Sequence, residues 1–176
     1  DEEHAAFYEK AKAAYVRIFE RLGLGDITFV TFASGGTFSK FSDEFQMLTD
    51  AGEDTIYVDR EARFSVNDEV LASITEEQMA AAGTSRDKLV PMKAVELGNI
   101  FTLGTKFSEP LELFFQDEKG EKKAVIMGSY GIGIPRAMGA IAEAFGDEKG
   151  LVWPVNVAPF HVHLIQVTGQ DPERAA

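Results

Sequence analysis

The stretch Gly128-Ser-Tyr-Gly-Ile-Gly-Ile-Pro-Arg136, followed by Ala137-Met-Gly-Ala-Ile-Ala-Glu-Ala-Phe145, decides the reading of this chain. The apolar run Ala124 to Met127 before it reads as a strand, and Gly128, Gly131 and Gly133 read as residues that let the backbone turn sharply. Pro135 suits a first helical turn. Arg136 then stands at the mouth of a helix, beside backbone N–H groups without a partner inside it. Those donors, the positive end of the helix dipole and a forked guanidinium all favour a polyphosphate. Two other nucleotide motifs are excluded. A dinucleotide fingerprint needs a third small residue where Arg136 stands, and a phosphate loop of the Walker type needs Gly-Lys followed by Ser or Thr. A structural glycine turn with a surface arginine fits the local pattern equally well, so the wider chain has to decide.

At 176 residues the chain has room for one core, and 45% hydrophobic with 11% aromatic residues is the balance of a globular domain built around a sheet. The absence of cysteine excludes a disulfide framework and a thiolate zinc site, and is compatible with a reducing cytoplasm. The amino terminus is acidic and no run approaches 18 apolar residues, which argues against secretion and against a membrane partner. A soluble, cytoplasmic protein is expected. With 29 acidic against 17 basic residues the formal charge is -12, the opposite of what a general nucleic-acid surface needs.

Phe7, Tyr8, Ala11, Tyr15, Ile18, Phe19 and Leu22 recur at helical spacing from Glu2 to Leu22, and Gly23 and Gly25 end that helix. Its aromatic stripe reads as core. Ile27 to Phe32, Glu44 to Leu48 and Thr55 to Val58 read as strands, with the Gly35-Gly36 loop between the first two. Asp68 to Ala82 suggests one or two short helices followed by a polar turn at Gly83 to Asp87. Leu111 to Gln116 and Lys122 to Met127 read as a hairpin with Gly120 in its turn. His161 and His163 read as the polar face of an alternating strand, and His4 as a solvated helix residue.

The Gly128 to Arg136 stretch resembles motif 3 of the class II aminoacyl-tRNA synthetases, and specifically that of prolyl-tRNA synthetase of the bacterial type. Three further stretches resemble the same family in the same order. They are Ala33-Ser-Gly-Gly-Thr-Phe-Ser-Lys-Phe-Ser-Asp-Glu-Phe45 running on to Thr55, Val95-Glu-Leu-Gly-Asn-Ile-Phe-Thr-Leu-Gly-Thr-Lys-Phe-Ser108, and Asp147-Glu-Lys-Gly-Leu-Val-Trp-Pro154 with Val157 to Leu164. Together they extend over about three quarters of the chain, and four ordered motifs are far more specific than one.

The resemblance implies an α+β fold, a mostly antiparallel class II sheet with flanking helices, incomplete here. It implies a partial catalytic core over residues 1–154, with residues 57–92 as a short insert in place of an editing domain. Residues 155–176 would be a linker and the first strand of a truncated anticodon-binding domain. Motifs 1 and 2 would lie outside the chain, so the fragment alone is expected to be inactive and its homodimer to form through motif 1 elsewhere. The implied activity is that of a proline–tRNA ligase, which joins proline and ATP into prolyl-adenylate and passes the prolyl group to tRNA(Pro). ATP with Mg is the implied nucleotide, and tRNA contacts would fall mostly on parts outside this chain.

By the same resemblance Arg136 is the catalytic arginine on the γ-phosphate, Gly131 and Gly133 let the purine approach the backbone, and Glu96 meets the ribose and the metal. A strand-end carboxylate in water is the plain alternative for Glu96. Gly98, Asn99, Phe101, Ser129 and Tyr130 are candidates for holding proline, which needs partners for an ammonium and a carboxylate and an apolar wall for the ring. Phe101 also reads as simple core. Gly35, Gly36 and Glu44 are expected in the same pocket. The family usually shows histidine where this chain has Asp43, and a carboxylate cannot copy a neutral imidazole donor. A synthetase paralogue that binds an amino acid or nucleotide for regulation is therefore the alternative, and a purely structural interaction domain is a third reading.

Overall fold

In the computed structural model, residues 2–167 are described. Helix α1 spans Glu2–Arg21. It ends as the sequence suggests: Gly23 takes φ +79°, and the N–H groups of Gly23 and Leu24 bond back to Glu20 and Phe19. Its buried stripe is narrower than the apolar spacing suggests. Tyr8, Tyr15, Phe19 and Leu22 pack on the sheet, whereas Phe7 and Ile18 are exposed.

Eight strands follow: β1 Thr28–Ala33, β2 Ser42–Leu48, β3 Asp54–Asp59, β4 Phe64–Asn67, β5 Val90–Gly104, β6 Phe114–Gln116, β7 Lys122–Ala124 and β8 Met127–Ile132. β6 and β7 form the expected hairpin, with Gly120 at φ +78° in the turn. The others make one sheet whose spine is β5. β5 pairs antiparallel with β3 through Val90 to Ala94, with β2 through Ala94 to Ile100 and with β8 through Gly98 to Gly104. β1 joins β2 antiparallel and β4 in parallel. Helix α2, Glu76–Ala81, starts at a capping box in which Thr75 and Gln78 bond reciprocally. Helix α3, Ile134–Phe145, follows β8 directly.

One face of the sheet carries the core. Phe45, Met47, Leu97 and Ile100 meet Phe19 of α1 and Ala140 and Ile141 of α3. The other face around β2 and the middle of β5 is polar, and it carries the site.

Two expectations are corrected. The glycines before Arg136 do not form a turn: Gly128 and Gly131 lie within β8, and only at Gly133, with φ -79°, does the chain pass into α3. They allow close approach instead, since a Cβ on Gly98 would lie 2.6 Å from the carbonyl oxygen of Gly131 across the strand pair. The interval 57–92 is the short segment that the resemblance reads in place of an editing domain. It holds the end of β3, all of β4 and the start of β5, with α2 and two short 3-10 turns between. Finally, residues 155–167 contain no strand, and Phe160, Val162 and Leu164 are exposed, because no strand of the described residues pairs with them. Residues 168–176 lie outside the described residues.

Candidate functional site

Side chains alternate along a strand, so Glu44 and Gln46 of β2 share a face and Asp43 and Phe45 share the other. On β5 the alternation is broken once. Phe45 is opposite Gly98 and Gln46 is opposite Glu96, which leaves Leu97 as an extra residue in a bulge. The bulge turns Leu97 into the core and brings Glu96 and Asn99, three apart, to the same face. Asn99 Nδ2 donates to Glu96 Oε1 at 2.9 Å. The register continues the set across to β8, where Gly131 lies opposite Asn99 and Ser129 opposite Phe101.

Glu96, Gly98, Asn99, Gly131, Gly133 and Arg136 line a cleft of about 200 Å³. Arg136 leaves the first turn of α3 and reaches back to β5. Its Nη1 donates to the Glu96 carbonyl at 2.8 Å and lies 3.9 Å from the Glu96 carboxylate. Half of the arginine side chain stays exposed, at 52%, so most of its five donors remain available. A Cβ on Gly131 would project into the cleft with Asn99 Oδ1 3.8 Å away, its nearest neighbour. The first turn of α3 has no side-chain cap, which leaves its backbone donors to the solvent side.

Beside the cleft lies an acidic group on the same face. Gln46 is fully buried, and its Nε2 donates both to Glu44 Oε2 at 2.9 Å and to Asp54 Oδ2 at 2.8 Å. Asn67 Nδ2 lies 3.5 Å from the same Glu44 oxygen. Burial pushes the Glu44 carboxyl up to about 7, and the charges of Glu96 and Asp54 push the same way, while the bonds from Gln46 and Asn67 pull it down. The loop with Gly35 and Gly36, the latter at φ +57°, comes over the end of β5, where Phe38 stacks on Phe101 at 6.2 Å and Lys106 bonds the Thr37 carbonyl.

The structure thus brings together Glu44, Glu96, Gly98, Asn99, Phe101, Ser129, Gly131, Gly133 and Arg136, with the Gly35-Gly36 loop at the edge. Tyr130 is not among them. It lies opposite Ile100 on the helix-covered face, edge-on to Phe7 at 5.3 Å, with its hydroxyl buried and unpartnered. Asp43 also faces away, accepting from Tyr8 Oη at 2.9 Å and pairing with Lys12 at 2.7 Å. His4 is not merely solvated, since its Nε2 bonds Thr102 Oγ1 at 3.0 Å. Gln46, Asp54 and Asn67 were not singled out as site residues. Gln46 follows from Glu44 by the period of two, whereas nothing local to Asp54 or Asn67 signals their approach. A larger cavity, about 670 Å³, lies on the helix-covered side between α1 and the β6–β7 hairpin, away from Glu96 and Arg136.

A polar antiparallel face with an exposed arginine at the start of the helix that follows it is an arrangement suited to an anionic ligand. Residues 2–145 match the tRNA synthetase class II core domain (G, H, P, S and T), and the chain belongs to that family. It is similar to the proline–tRNA ligases of Wolbachia sp. subsp. Drosophila simulans (strain wRi), at 35% identity over 176 residues, and of Anaplasma marginale (strain St. Maries), at 37% over 181 residues. Each match covers 96% of this chain and 42% of the relative, so the chain spans less than half the length of these relatives. Among solved structures it resembles the prolyl-tRNA synthetase from Cryptosporidium parvum complexed with L-proline and AMP, with a TM-score of 0.57 and 21% identity over 90% of this chain and 25% of that one. That likeness concerns the fold.

Proposed function

We propose that this chain is part of a proline–tRNA ligase, which activates proline with ATP and transfers the prolyl group from the adenylate to tRNA(Pro). The observation that carries the reading is the pairing of Arg136 with Glu96 across a cleft whose glycine walls leave room for a flat base. Activation is an in-line attack of the amino-acid carboxylate on the α-phosphate with departure of pyrophosphate, so the protein contributes positioning and charge stabilisation. Arg136 holds the γ-phosphate, Gly131 and Gly133 clear the backbone for the purine, and Glu96 faces the ribose. Asn99, Phe101, Ser129 and Glu44 form the proline side, Phe101 as the apolar wall. Mg keeps water and substrate phosphates as most of its ligands, so the single carboxylate of Glu96 fits a metal delivered with ATP. Among the described residues no group of three or more His, Asp or Glu side chains is arranged to hold a metal by itself.

The regulatory-paralogue reading drew on Asp43. Bonded to Tyr8 and Lys12 beneath α1, Asp43 does not face the amino-acid side and argues for neither reading. Homodimer formation, tRNA(Pro) binding outside this chain and a cytoplasmic location belong to the same proposal. No helix of the described residues is long and apolar enough to cross a membrane. The test is ATP–pyrophosphate exchange by the full-length protein with proline, alanine or no amino acid. Exchange that requires proline, and whose kcat/KM falls about a hundredfold in Arg136→Ala, is expected. No exchange with any amino acid from a folded protein would sink the ligase reading.

A further inference from the structure

The loop between β1 and β2 turns tightly on itself. The N–H groups of Phe38 and Ser39 both bond the Gly35 carbonyl, and a Cβ on Gly35 would lie 2.4 Å from the Ser39 carbonyl oxygen. That turn presents Phe38, 52% exposed, stacked on Phe101 and tilted against Phe107, each at 6.2 Å. Phe7 and Phe115 are similarly exposed, but they line the cavity beside α1. A single apolar side chain in water is ordinary. Phe38 differs because cations flank it. Lys40 stands two residues on, its ammonium 5.1 Å from the Phe41 ring centre, and Lys106, just past β5, bonds the Thr37 carbonyl. Both lysines are exposed, and neither is ion-paired among the described residues. Residues 33–42 and 97–108, which these contacts bring together, contain no Asp or Glu in a chain that has 29. An aromatic ring with ammonium groups beside it is the pairing that single-stranded nucleic acid uses, the ring for a base and the cations for phosphates.

The transfer half of the reaction needs such a place. Whichever part of the protein holds the body of tRNA(Pro), its terminal ribose must reach the prolyl group, which the ligase reading sets against Phe101. We propose that Phe38 stacks the 3′-terminal base of the tRNA and that Lys40 and Lys106 take the adjoining phosphates. The inference rests on the ligase reading and adds the docking place of its RNA end. Two ammonium groups are too few to hold a tRNA by themselves, so they orient the end of a molecule bound elsewhere. Stacking accepts any base, because every base has a π-face, so this contact positions the RNA without reading its identity.

The experiment separates the two half-reactions of the full-length protein: pyrophosphate exchange, which uses no RNA, and transfer to tRNA(Pro). The competing probe in transfer is tRNA(Pro), either intact or trimmed of its 3′-terminal nucleotide. For the wild type, trimming should weaken competition about tenfold. Phe38→Leu keeps an apolar cover on Phe101 but offers no π-face. It should raise KM for tRNA about tenfold and make trimming indifferent, with KM for proline and ATP in exchange within about twofold. Phe38→Trp should keep transfer. Lys40→Gln and Lys106→Gln should each raise KM for tRNA and lower the slope of log affinity against log salt by about 0.7. A Phe38→Leu variant for which trimming still matters overturns the inference while the ligase reading stands. So does one that raises KM for proline and spares tRNA, the signature of a cover on the amino acid, or one that loses both half-reactions, the signature of a structural role. If Phe38→Leu does not fold, the two lysine variants decide, and unchanged salt slopes overturn the inference. Absence of proline-dependent exchange in the wild type overturns the ligase reading and the inference together.

Discussion

Gly98 and Gly131 sit side by side on β5 and β8 yet answer to different constraints. A Cβ on Gly98 meets backbone, the Gly131 carbonyl oxygen at 2.6 Å, which neither strand can yield without breaking the ladder between them. A Cβ on Gly131 points into the cleft and meets nothing closer than 3.8 Å. Gly98→Ala is therefore expected to destabilise the protein by about 1 to 3 kcal/mol, as overpacking does. Gly131→Ala should leave the unfolding midpoint nearly unchanged and instead weaken nucleotide binding by narrowing the cleft. Thermal unfolding and ATP titration of the two variants separate these roles, and equal loss of stability in both would show that the glycines serve packing alone.

At the scale of elements, α1 is fastened to the sheet by a polar clamp as well as by its aromatic stripe. Tyr8 Oη donates toward Asp43 and toward the Ile100 carbonyl at 3.0 Å, and Lys12 pairs with the same carboxylate. Burial and the Asp43 charge both push the Tyr8 hydroxyl up, so it stays a donor throughout the working range. Asp43→Ala strips both partners at once and should cost about 1 to 3 kcal/mol in urea unfolding, while leaving KM for proline within about twofold. A large rise in that KM would return Asp43 to the amino-acid pocket. The helix itself, β1 to β3 and the β6–β7 hairpin were legible because a strong period or a turn glycine marks each of them. β8 was not, because glycine serves close strand approach as readily as it serves a turn, and the contact that decides lies on β5, 33 residues away from Gly131 in sequence. β4 is four residues long, too short to show a period, although it forms a hairpin with β3 across residues 60–63 and joins β1 in parallel. The bulge at Leu97 is likewise silent in sequence, although it alone puts Glu96 beside Asn99 and so builds the cleft. Resemblance supplied the residues of the site, but only the alternation of strand faces separates Tyr130 and Asp43 from the rest.

Across the whole molecule the charge balance limits what this chain does with a polyanion. With 29 acidic and 17 basic residues its mean field repels phosphate, and several of its cations are already engaged within the chain. Lys12 is held by Asp43, Arg63 by the carbonyls of Gly25, Asp26 and Thr28, Arg86 by Glu76 and Lys123 by Asp117. The proposed nucleotide site is compatible with that field, because Arg136 and the first turn of α3 act locally, within a Debye length of about 8 Å at physiological salt. A tRNA needs a track of phosphate contacts, each of which steepens the salt dependence of binding. The isolated chain should therefore bind tRNA more weakly than about 10⁻⁴ M at about 0.15 M salt, beyond the weak end of ordinary non-specific binding. Filter binding across a salt series checks this. Micromolar affinity with a slope of several in log salt would mean that a basic track forms on this chain despite its net charge, and would move the tRNA contact from the rest of the protein onto the core itself.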